Sequence, residues 1–551
     1  MIGLVPVVAV MLATLFIGLR GVAAMRTTSD FLVASRRASP LLNSAALAGE
    51  YLSAASFLGA AGLVVKDGVG SLWYLVGFAA GYIAMLVLVA APIRRSGALT
   101  VPDFVQARLA SPVLRKLSAV VVLVISLLYL VPQFHTSGLM LSEVGGTPYW
   151  VGVVLAAVAV GGTLALGGMR AATYVQAFQF VLKTVLFAVP AIWLVVSVGA
   201  AVRTEAVHPA EFTRFERQTT VVFRDDVTVE LPETVPAAGL TAGPHRFVAG
   251  QRVTFPAGAP APRIDGQTAP GDSAWRRPLF DPGHHGYPLL STLAVLFATA
   301  LGTMGLPHVI MRFHTSSDGR SARRAAALTV PLVGLFYLFP GVYGVLGGVL
   351  VPHLYFAGGT DTVVVALPLR VNTGWQGIAL TGLLTAGAFA AILTSSLGLL
   401  LAVSAAISHD LTPGGLDRLR VTALLSAVPV GLLVLPVASL DAGILVTWAF
   451  TVAASTFSPL LVLGIWWPRL TARGATAGVL VGLFVSSTAI AVTMWCPALS
   501  GWPAVLADQP APLSVPLAFL TMIGVSLRGR PPAWAETAVL RLHLDDQDRS
   551  S

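Results

Sequence analysis

The stretch that decides the fold runs from Asn43 to Gly59 and reads Asn-Ser-Ala-Ala-Leu-Ala-Gly-Glu-Tyr-Leu-Ser-Ala-Ala-Ser-Phe-Leu-Gly. It lies within a long apolar segment, residues 40–64, yet it carries a carboxylate at Glu50 with a glycine, Gly49, directly before it. A charged carboxylate at the centre of a bilayer costs roughly 2.5–3.5 kcal/mol or more unless it is paired, hydrated or protonated. The stretch therefore predicts a transmembrane helix that is interrupted near Gly49. The alternative is a buried Glu50 that bonds to a neighbouring helix.

The composition of the whole chain places this stretch in a membrane protein. Of 551 residues, 56% are hydrophobic and only 11% are charged, with a mean hydropathy of +0.81. A soluble domain carries about 25% charged residues, so the composition excludes a soluble enzyme, a disordered protein and a nucleic-acid-binding domain despite the net charge of +9. The single cysteine, Cys496, excludes an intrachain disulfide and a cysteine-based metal cluster.

Segments of about 20 apolar residues predict the membrane spans. We expect 13 spans, all of them α-helical, with the lipid bilayer as the surrounding partner. In chain order they cover residues 2–24, 40–64, 71–93, 117–141, 149–167, 172–200, 288–311, 326–350, 376–407, 420–438, 442–465, 475–495 and 511–527.

The distribution of basic residues predicts the orientation. With the N-terminus outside, 21 Lys and Arg fall in cytoplasmic segments, whereas the short outer loops hold only Lys66 and Arg370. Cytoplasmic loops carry an excess of Lys and Arg, so we expect a multi-pass plasma-membrane protein with its C-terminus in the cytoplasm. The first span is expected to be retained rather than cleaved, because no Lys or Arg precedes it and Arg20 and Arg26 follow.

One polar segment, residues 201–287, interrupts the series of spans. It holds nine Arg and ten acidic residues, so its charges nearly cancel. Short alternating runs, such as Arg252-Val-Thr-Phe, indicate strands. We expect an extracellular insertion that is either a small β-rich domain or a partly ordered loop.

A second break is predicted in the span that follows the insertion. Gly302, Gly305 and Pro307 lie within six residues, and His308 follows them. Proline removes a helical hydrogen bond, so the simple alternative is a kink with a satisfied histidine. However, breaks in spans 2 and 7 are five spans apart, and matching breaks in two halves indicate an inverted-repeat transporter.

A third feature is a set of small residues in span 9, two of which carry hydroxyls. Ala391, Thr394 and Ser395 lie at positions i, i+3 and i+4, on one face of a helix. The hydroxyls of Thr394 and Ser395, together with carbonyls from an interrupted helix, would form an all-oxygen shell suited to Na⁺. The alternative is that the hydroxyls bond back to their own helix.

These segments carry a resemblance to a known family. The motifs are Asp30-Phe-Leu-Val-Ala-Ser-Arg-Arg, Leu47-Ala-Gly-Glu-Tyr-Leu-Ser, Gly305-Leu-Pro-His-Val-Ile-Met-Arg-Phe and Ser404-Ala-Ala-Ile-Ser-His-Asp-Leu. With them the chain resembles the sodium:solute symporters, and within them the cation/acetate or monocarboxylate branch.

The resemblance implies a LeuT-like core of five plus five helices in inverted repeats. Residues 40–200 would form the first repeat and residues 288–465 the second. An extra helix, residues 1–24, would precede them, and two helices at 475–527 and a cytoplasmic tail at 528–551 would follow. The ligands of Na⁺ implied by the motifs are the carbonyls of Gly49, Leu52 and Ala391 and the hydroxyls of Thr394 and Ser395.

The function that we expect is secondary active uptake of acetate, propionate or pyruvate, coupled to Na⁺ or H⁺ and without a cofactor. The residues expected near the substrate are Glu50, Tyr51, Ser53, Ser56, Phe57, Gly305 and His308. If H⁺ is the coupling ion, Glu50 is the first expected proton carrier and Lys183 is a second candidate charge. The alternatives are a symporter of the same fold for an amino acid or sugar, and a transporter-like sensor. We expect no enzymatic activity, and the sequence does not predict an oligomeric state.

Overall fold

The structure is a computed structural model. It describes residues 4–19, 27–224, 226–264, 267–282, 285–412, 414–434, 442–495 and 499–544. Before the insertion the helices are α1 Leu4–Leu19, α2 Thr28–Val33, α3 Pro40–Tyr51, α4 Ala60–Asp67, α5 Trp73–Leu88, α6 Ala90–Arg95, α7 Val101–Leu109, α8 Pro112–Gly145, α9 Tyr149–Ser197 and α10 Ala200–Val207.

Fourteen further helices follow the insertion in the described part of the chain. They are α11 Pro288–Gly305, α12 Pro307–Phe313, α13 Gly319–Phe336, α14 Leu338–Leu350, α15 Leu354–Ala357, α16 Val363–Val371, α17 Trp375–Ala405, α18 Leu416–Leu425, α19 Ala427–Leu433, α20 Ala442–Trp466, α21 Ala472–Trp495, α22 Trp502–Asp508, α23 Ala511–Leu527 and α24 Ala535–His543. Single π-helical turns lie at Ala55–Gly59 and Ala406–Leu411.

Eight helical segments of the described chain are long and apolar enough to cross a bilayer, and two bent helix pairs raise the number to ten. The expected count of 13 is not confirmed. Helix α1 has only 16 residues, and the span expected at 420–438 runs into residues 435–441, outside the described ones. The spans expected at 149–167 and 172–200 form one segment, α9.

Helix α9 is interrupted by its backbone rather than by a loop. Its 49 residues would extend about 74 Å if straight, more than twice the thickness of a hydrocarbon core. Gly168 has φ 51° and ψ −151°, which is not helical. Such a left-handed φ is readily adopted only by glycine, so the chain changes direction at Gly168 between two lengths of helix.

The described residues of the insertion form four strands in two antiparallel pairs. Strands β1 Thr219–Val222 and β4 Arg252–Phe255 pair with each other, as do β2 Val227–Leu231 and β3 Gly243–Phe247. The segment packs on the helices through Trp275, whose side chain is buried and whose ring nitrogen donates to the Val65 carbonyl (3.1 Å). The N–H of Val69 donates in turn to the Trp275 carbonyl (2.9 Å).

Two arginines of α6, Arg94 and Arg95, make contacts at the other end of α5. The Arg94 guanidinium donates to the Ser316 carbonyl (2.5 Å), and Arg95 donates to the carbonyl of His543 in α24 (3.1 Å). At the start of α5, by contrast, the Trp73 ring nitrogen donates to Pro278 of the insertion (2.7 Å). The insertion and these arginines are therefore separated by the length of α5, about 24 Å.

The core places the broken helices α3 and α11 beside other helices. Helix α3 packs against α9 and α13, α17 packs against α9 and α8, and α11 packs against α5 and α20. Close approach of α3 and α9 depends on Gly49, where a Cβ would lie 2.2 Å from the Gln176 carbonyl oxygen. The N-terminal break is thus held directly against α9 and α17.

Candidate functional site

The first break is a helix end followed at once by a new helix start. Helix α3 ends at Tyr51, and Leu52 has φ −72° and ψ 76°. The N–H of Ser53 donates to the hydroxyl of Ser56 (3.1 Å), and the N–H of Ser56 donates to the hydroxyl of Ser53 (3.0 Å). This reciprocal pattern is that of a capping box, with serine in place of the usual Glu or Gln.

The capping serines have a consequence for the backbone before them. In a continuous helix the N–H groups of Ser53 and Ser56 would donate to the carbonyls of Gly49 and Leu52. Here they donate to serine hydroxyls instead, and Ser53 also donates to the Tyr51 carbonyl (2.8 Å). The carbonyls of Gly49 and Leu52 are thereby released from these helical hydrogen bonds.

A lysine ammonium occupies the position next to these released carbonyls. The Lys183 Nζ of α9 lies 2.5 Å from the Gly49 oxygen, 2.5 Å from the Leu52 oxygen and 3.3 Å from Thr394 Oγ1. The Lys183 side chain is fully buried. The structure therefore brings together three of the residues predicted to bind Na⁺, but it assembles them around the side chain of Lys183.

The other two residues of the predicted sodium set lie on the same face of α17. The Ala391 carbonyl accepts from the Thr394 hydroxyl (2.9 Å). The Ser395 hydroxyl donates to the backbone carbonyl of Glu50 (2.5 Å). Gln176 of α9 donates to the Thr394 carbonyl (2.7 Å), so side-chain hydrogen bonds join α17 to both α3 and α9.

The intramembrane carboxylate has a partner that the sequence did not predict. Glu50 forms an ion pair with Arg312 of α12, and both side chains are buried. Arg312 also donates to the Thr173 hydroxyl (2.7 Å). The structure therefore agrees with the alternative in which Glu50 bonds to a neighbouring helix, and it places Arg312, one of the 21 basic residues predicted to be cytoplasmic, in a buried ion pair.

The second break has a clear local cause. Helix α11 ends at Gly305, Leu306 is extended (φ −70°, ψ 117°), and α12 begins at Pro307. Proline forces the residue before it out of the helical region and is well tolerated as the first residue of a helix. A Cβ on Gly305 would lie 2.5 Å from the Ala453 carbonyl oxygen, so Gly305 serves close packing against α20.

Between the two breaks lies a buried polar patch, which we call the break-site patch, formed by Tyr51, Ser53, Ser56, Tyr129 and His308. The Tyr129 hydroxyl donates to Ser53 Oγ (3.2 Å), and its ring meets His308 edge-on at a centroid distance of 5.6 Å. The Tyr51 hydroxyl lies 2.6 Å from Thr303 Oγ1. Neither ring nitrogen of His308 has a hydrogen-bond partner among the described residues.

Two members of this region were missed by sequence reasoning. Tyr129 lies in α8, and Gln133 is four residues further along the same face. Gln133 is fully buried, and both atoms of its amide lack a hydrogen-bond partner within the described structure. A polar residue directly after Pro132 in an apolar helix was the signal that could have found it.

Phe57 is placed differently from the other expected substrate residues. Its ring stacks on Phe187 at a centroid distance of 4.0 Å and contacts the rings of Phe336 and Tyr343. Phe57 therefore belongs to an aromatic cluster rather than to the break-site patch.

A separate charged cluster joins α7, the start of α8 and the π-helical turn at Ala406–Leu411. Asp103, His409 and Asp410 have ligand atoms within 4.8 Å of one another. Arg115 pairs with both carboxylates, at 2.8 Å from Asp103 and 3.1 Å from Asp410, and His409 lies 2.8 Å from Asp103. Because Arg115 already supplies the positive charge, the cluster is an ion-pair network and does not favour a metal site.

Comparison with known proteins assigns this architecture to a family. The model of the sodium:solute symporter family matches residues 31–254 and 283–482. The chain belongs to the sodium:solute symporter family. An uncharacterised symporter of Bacillus subtilis, YwcA, is 28% identical over 512 residues, which cover 90% of this chain and 88% of that protein.

Solved structures agree on the fold. A Na⁺-coupled sialic acid symporter in a substrate-bound, outward-open state matches with a TM-score of 0.67 at 14% sequence identity. The match covers 96% of this chain and 98% of the chain of that symporter. The nucleobase-cation-symport-1 transporter Mhp1 has a TM-score of 0.51 at 13% identity, covering 93% and 98%. The fold is thus that of a helical, LeuT-like membrane transporter. The family supports Na⁺ and a small solute as transported species, whereas the acetate branch is not established by these matches.

Proposed function

We propose that the protein is a secondary active symporter that takes up a short-chain monocarboxylate, such as acetate, propionate or pyruvate, coupled to Na⁺ or H⁺. The observation that carries the proposal is the pair of unpartnered polar side chains near the two breaks. His308 and Gln133 are buried without a hydrogen-bond partner in the described structure. Buried polar groups are nearly always satisfied, so these groups are suited to receive a polar solute.

The sign of the charge that this site would accept is set by the helix break. The N–H groups of Ser53 and Ser56 are engaged in the capping box, but the segment that starts at Ser53 still places the positive end of its helix dipole at the break, and this end favours anions. Neutral imidazole and amide groups add donors without demanding a second charge. A carboxylate fits these groups, and the transport of an anion with a cation avoids moving net negative charge against the membrane potential.

The surroundings favour a small solute. Tyr51 meets the ring of Tyr82 at 4.7 Å and that of Phe78 at 6.1 Å, while Phe78 and Phe450 are 4.8 Å apart. These rings fill the region beside the break-site patch. This crowding supports a solute of a few heavy atoms over a sugar.

We further propose that the insertion is extracellular and that the N-terminus of the chain is outside. The meeting of Arg94 and Arg95 with α24 at the end opposite the insertion supports this orientation, because an arginine-rich end is typical of the cytoplasmic side. We also retain the division into inverted repeats at 40–200 and 288–465 as part of the proposal.

Competition in proteoliposomes tests the substrate class. Uptake of labelled pyruvate should be reduced by unlabelled acetate, propionate and pyruvate and unaffected by amino acids and sugars. His308→Ala should raise the pyruvate concentration for half-maximal uptake, whereas His308→Asn, which keeps a polar donor, should raise it less. His245→Ala, at a half-buried position of β3 in the insertion, is the matched control. Indifference to every monocarboxylate would overturn the proposal and favour another solute.

A further inference from the structure

The side chain of Lys183 fills the position that the sequence predicts for the coupling cation. An ammonium group has three donors, and Lys183 Nζ has three acceptors in the carbonyls of Gly49 and Leu52 and the hydroxyl of Thr394. The released carbonyls at the end of α3 also form the negative end of a helix, which favours a positive charge. The contacts are those of a cation in an oxygen shell.

The residues as arranged do not fit a Na⁺ ion. The oxygens of Gly49 and Leu52 both face the Lys183 ammonium at 2.5 Å, so a metal ion would have to share their lone pairs with a positive charge a few ångströms away. The Thr394 hydroxyl is engaged as well, as an acceptor from Lys183 and as a donor to the Ala390 and Ala391 carbonyls. The side chain of Lys183 would have to leave before Na⁺ could enter.

Among the described residues, the groups around Lys183 do not supply a carboxylate to pair with its ammonium. Among the described residues no carboxylate forms an ion pair with it, since Glu50 of α3 is paired with Arg312. Tyr343 of α14 donates to the Phe187 carbonyl (2.7 Å), and Tyr129 of α8 donates to Ser53. Helix α17 carries no ionisable side chain. Lys183 also does not extend toward the membrane surface, because its side chain is fully buried.

We infer that Lys183 is a tethered cation that replaces Na⁺ at this site, so that this member of the family does not bind Na⁺ between α3, α9 and α17. The inference concerns the ion of the proposed symport and rests on that proposed function for its transport consequence. Of the two coupling ions left open by the sequence, it disfavours Na⁺. Ser53 and Ser56 then act as positioning residues, because their capping box releases the carbonyls that hold Lys183.

Binding of Na⁺ is tested without transport, on the purified full chain in detergent. A ligand that binds only the folded state raises the Tm with the logarithm of its concentration above its Kd. Wild type should show the same Tm in NaCl and in KCl of equal ionic strength. Lys183→Ala and the polar variant Lys183→Gln, which vacate the oxygen shell, should acquire a Tm increase specific to Na⁺.

The matched control is Thr184→Val, on the next residue of α9, whose hydroxyl donates to the Phe180 carbonyl of its own helix (2.7 Å). It should leave the response to Na⁺ unchanged. A Na⁺-specific Tm increase in wild type that disappears in Thr394→Ala would overturn the inference. This result needs no Lys183 variant, so the inference remains falsifiable if those variants do not fold.

Transport distinguishes this inference from the proposed function. In proteoliposomes loaded with unlabelled pyruvate, exchange of labelled pyruvate requires no ion gradient. We expect equal exchange in Na⁺-free potassium buffer and in sodium buffer. Exchange that requires Na⁺ would contradict the role of Lys183 and leave the proposed substrate intact. Absence of exchange with every monocarboxylate in both buffers would contradict the proposed function, while the Tm measurement would still decide the inference.

Discussion

Glu50 of the first broken helix and Arg312 of the helix after the second break form an ion pair whose side chains are only 1% and 0% exposed. The pair links α3 to α12 through two residues that lie 262 positions apart in the chain. Because a buried charge without its partner is strongly destabilising, this contact ties the geometry of one break to that of the other.

A double-mutant cycle measures that coupling. Arg312→Met should lower the stability by about 3–5 kcal/mol, since it leaves Glu50 buried and unpaired. Glu50→Gln combined with Arg312→Met should recover part of this loss. The readout is thermal unfolding of the purified protein, and Arg246→Met, from an exposed ion pair with Asp226, is the control. Additive effects of the two core substitutions would contradict a direct interaction.

Space for the Glu50 carboxylate depends on Gly398. A Cβ there would lie 1.6 Å from Glu50 Oε1, so Gly398→Ala should displace the carboxylate and lower both Tm and uptake. Gly382→Ala is the matched change on the same helix, where the nearest atom lies 3.4 Å away. It should be neutral or slightly stabilising, since alanine favours helix by about 1 kcal/mol over glycine. Equal effects of the two substitutions would refute this role of Gly398.

Docking of the insertion depends on Trp275. Its ring is 1% exposed, and a Cβ on Gly348 of α14 would lie 2.8 Å from it. Trp275→Ala removes packing of about 3–5 kcal/mol, so limited proteolysis should cleave within residues 201–287 faster than in wild type. Trp375→Ala, at a 76% exposed position, serves as control. Unchanged cleavage would show that the insertion is held by other contacts.

The ion-pair network around Asp103 should make stability depend on pH. Burial raises the pKa of the Asp103 carboxyl, but His409 and Arg115 outweigh burial and hold the pKa below its usual 3.8. A lowered pKa stabilises the fold above the unfolded-state pKa, and this contribution is lost as the pH falls through the folded-state value.

Asp103→Asn should therefore lower the Tm at pH 7 and reduce the further loss of Tm in acid. Asp417→Asn, whose side chain is 98% exposed, should behave like wild type. A steep acid transition that persists unchanged in Asp103→Asn would assign the pH dependence to other groups.

Several features of the site followed from the sequence because they depend on local chemistry. Gly49 with two nearby serines predicted the first break, and Pro307 after two glycines predicted the second; both breaks are present. The partners that cross the fold did not follow. Arg312 stands at the end of an apolar span, so its position in the sequence resembles that of a loop arginine, and only tertiary packing brings it to Glu50.

Lys183 illustrates the same limit. Its place in an apolar span identified it as a candidate charge, but the sequence could not show which of several helices it faces. In the structure its ammonium lies against the carbonyls of Gly49 and Leu52, 134 and 131 positions earlier. The binding of Na⁺ by the five residues named from the resemblance stays a prediction, and the sequence did not indicate that Lys183 contacts three of them.

The most direct test of the proposed function is the uptake of labelled pyruvate by proteoliposomes, with Na⁺ and H⁺ gradients imposed separately. We choose labelled pyruvate rather than acetate as the probe, because a smaller fraction of pyruvate exists as the neutral acid that crosses bilayers without a transporter. Protein-free vesicles measure the leak that remains. We predict accumulation above equilibrium under an inward H⁺ gradient in Na⁺-free medium. Accumulation driven only by Na⁺ would contradict the role of Lys183, and no accumulation of any monocarboxylate under either gradient would contradict the proposed function itself.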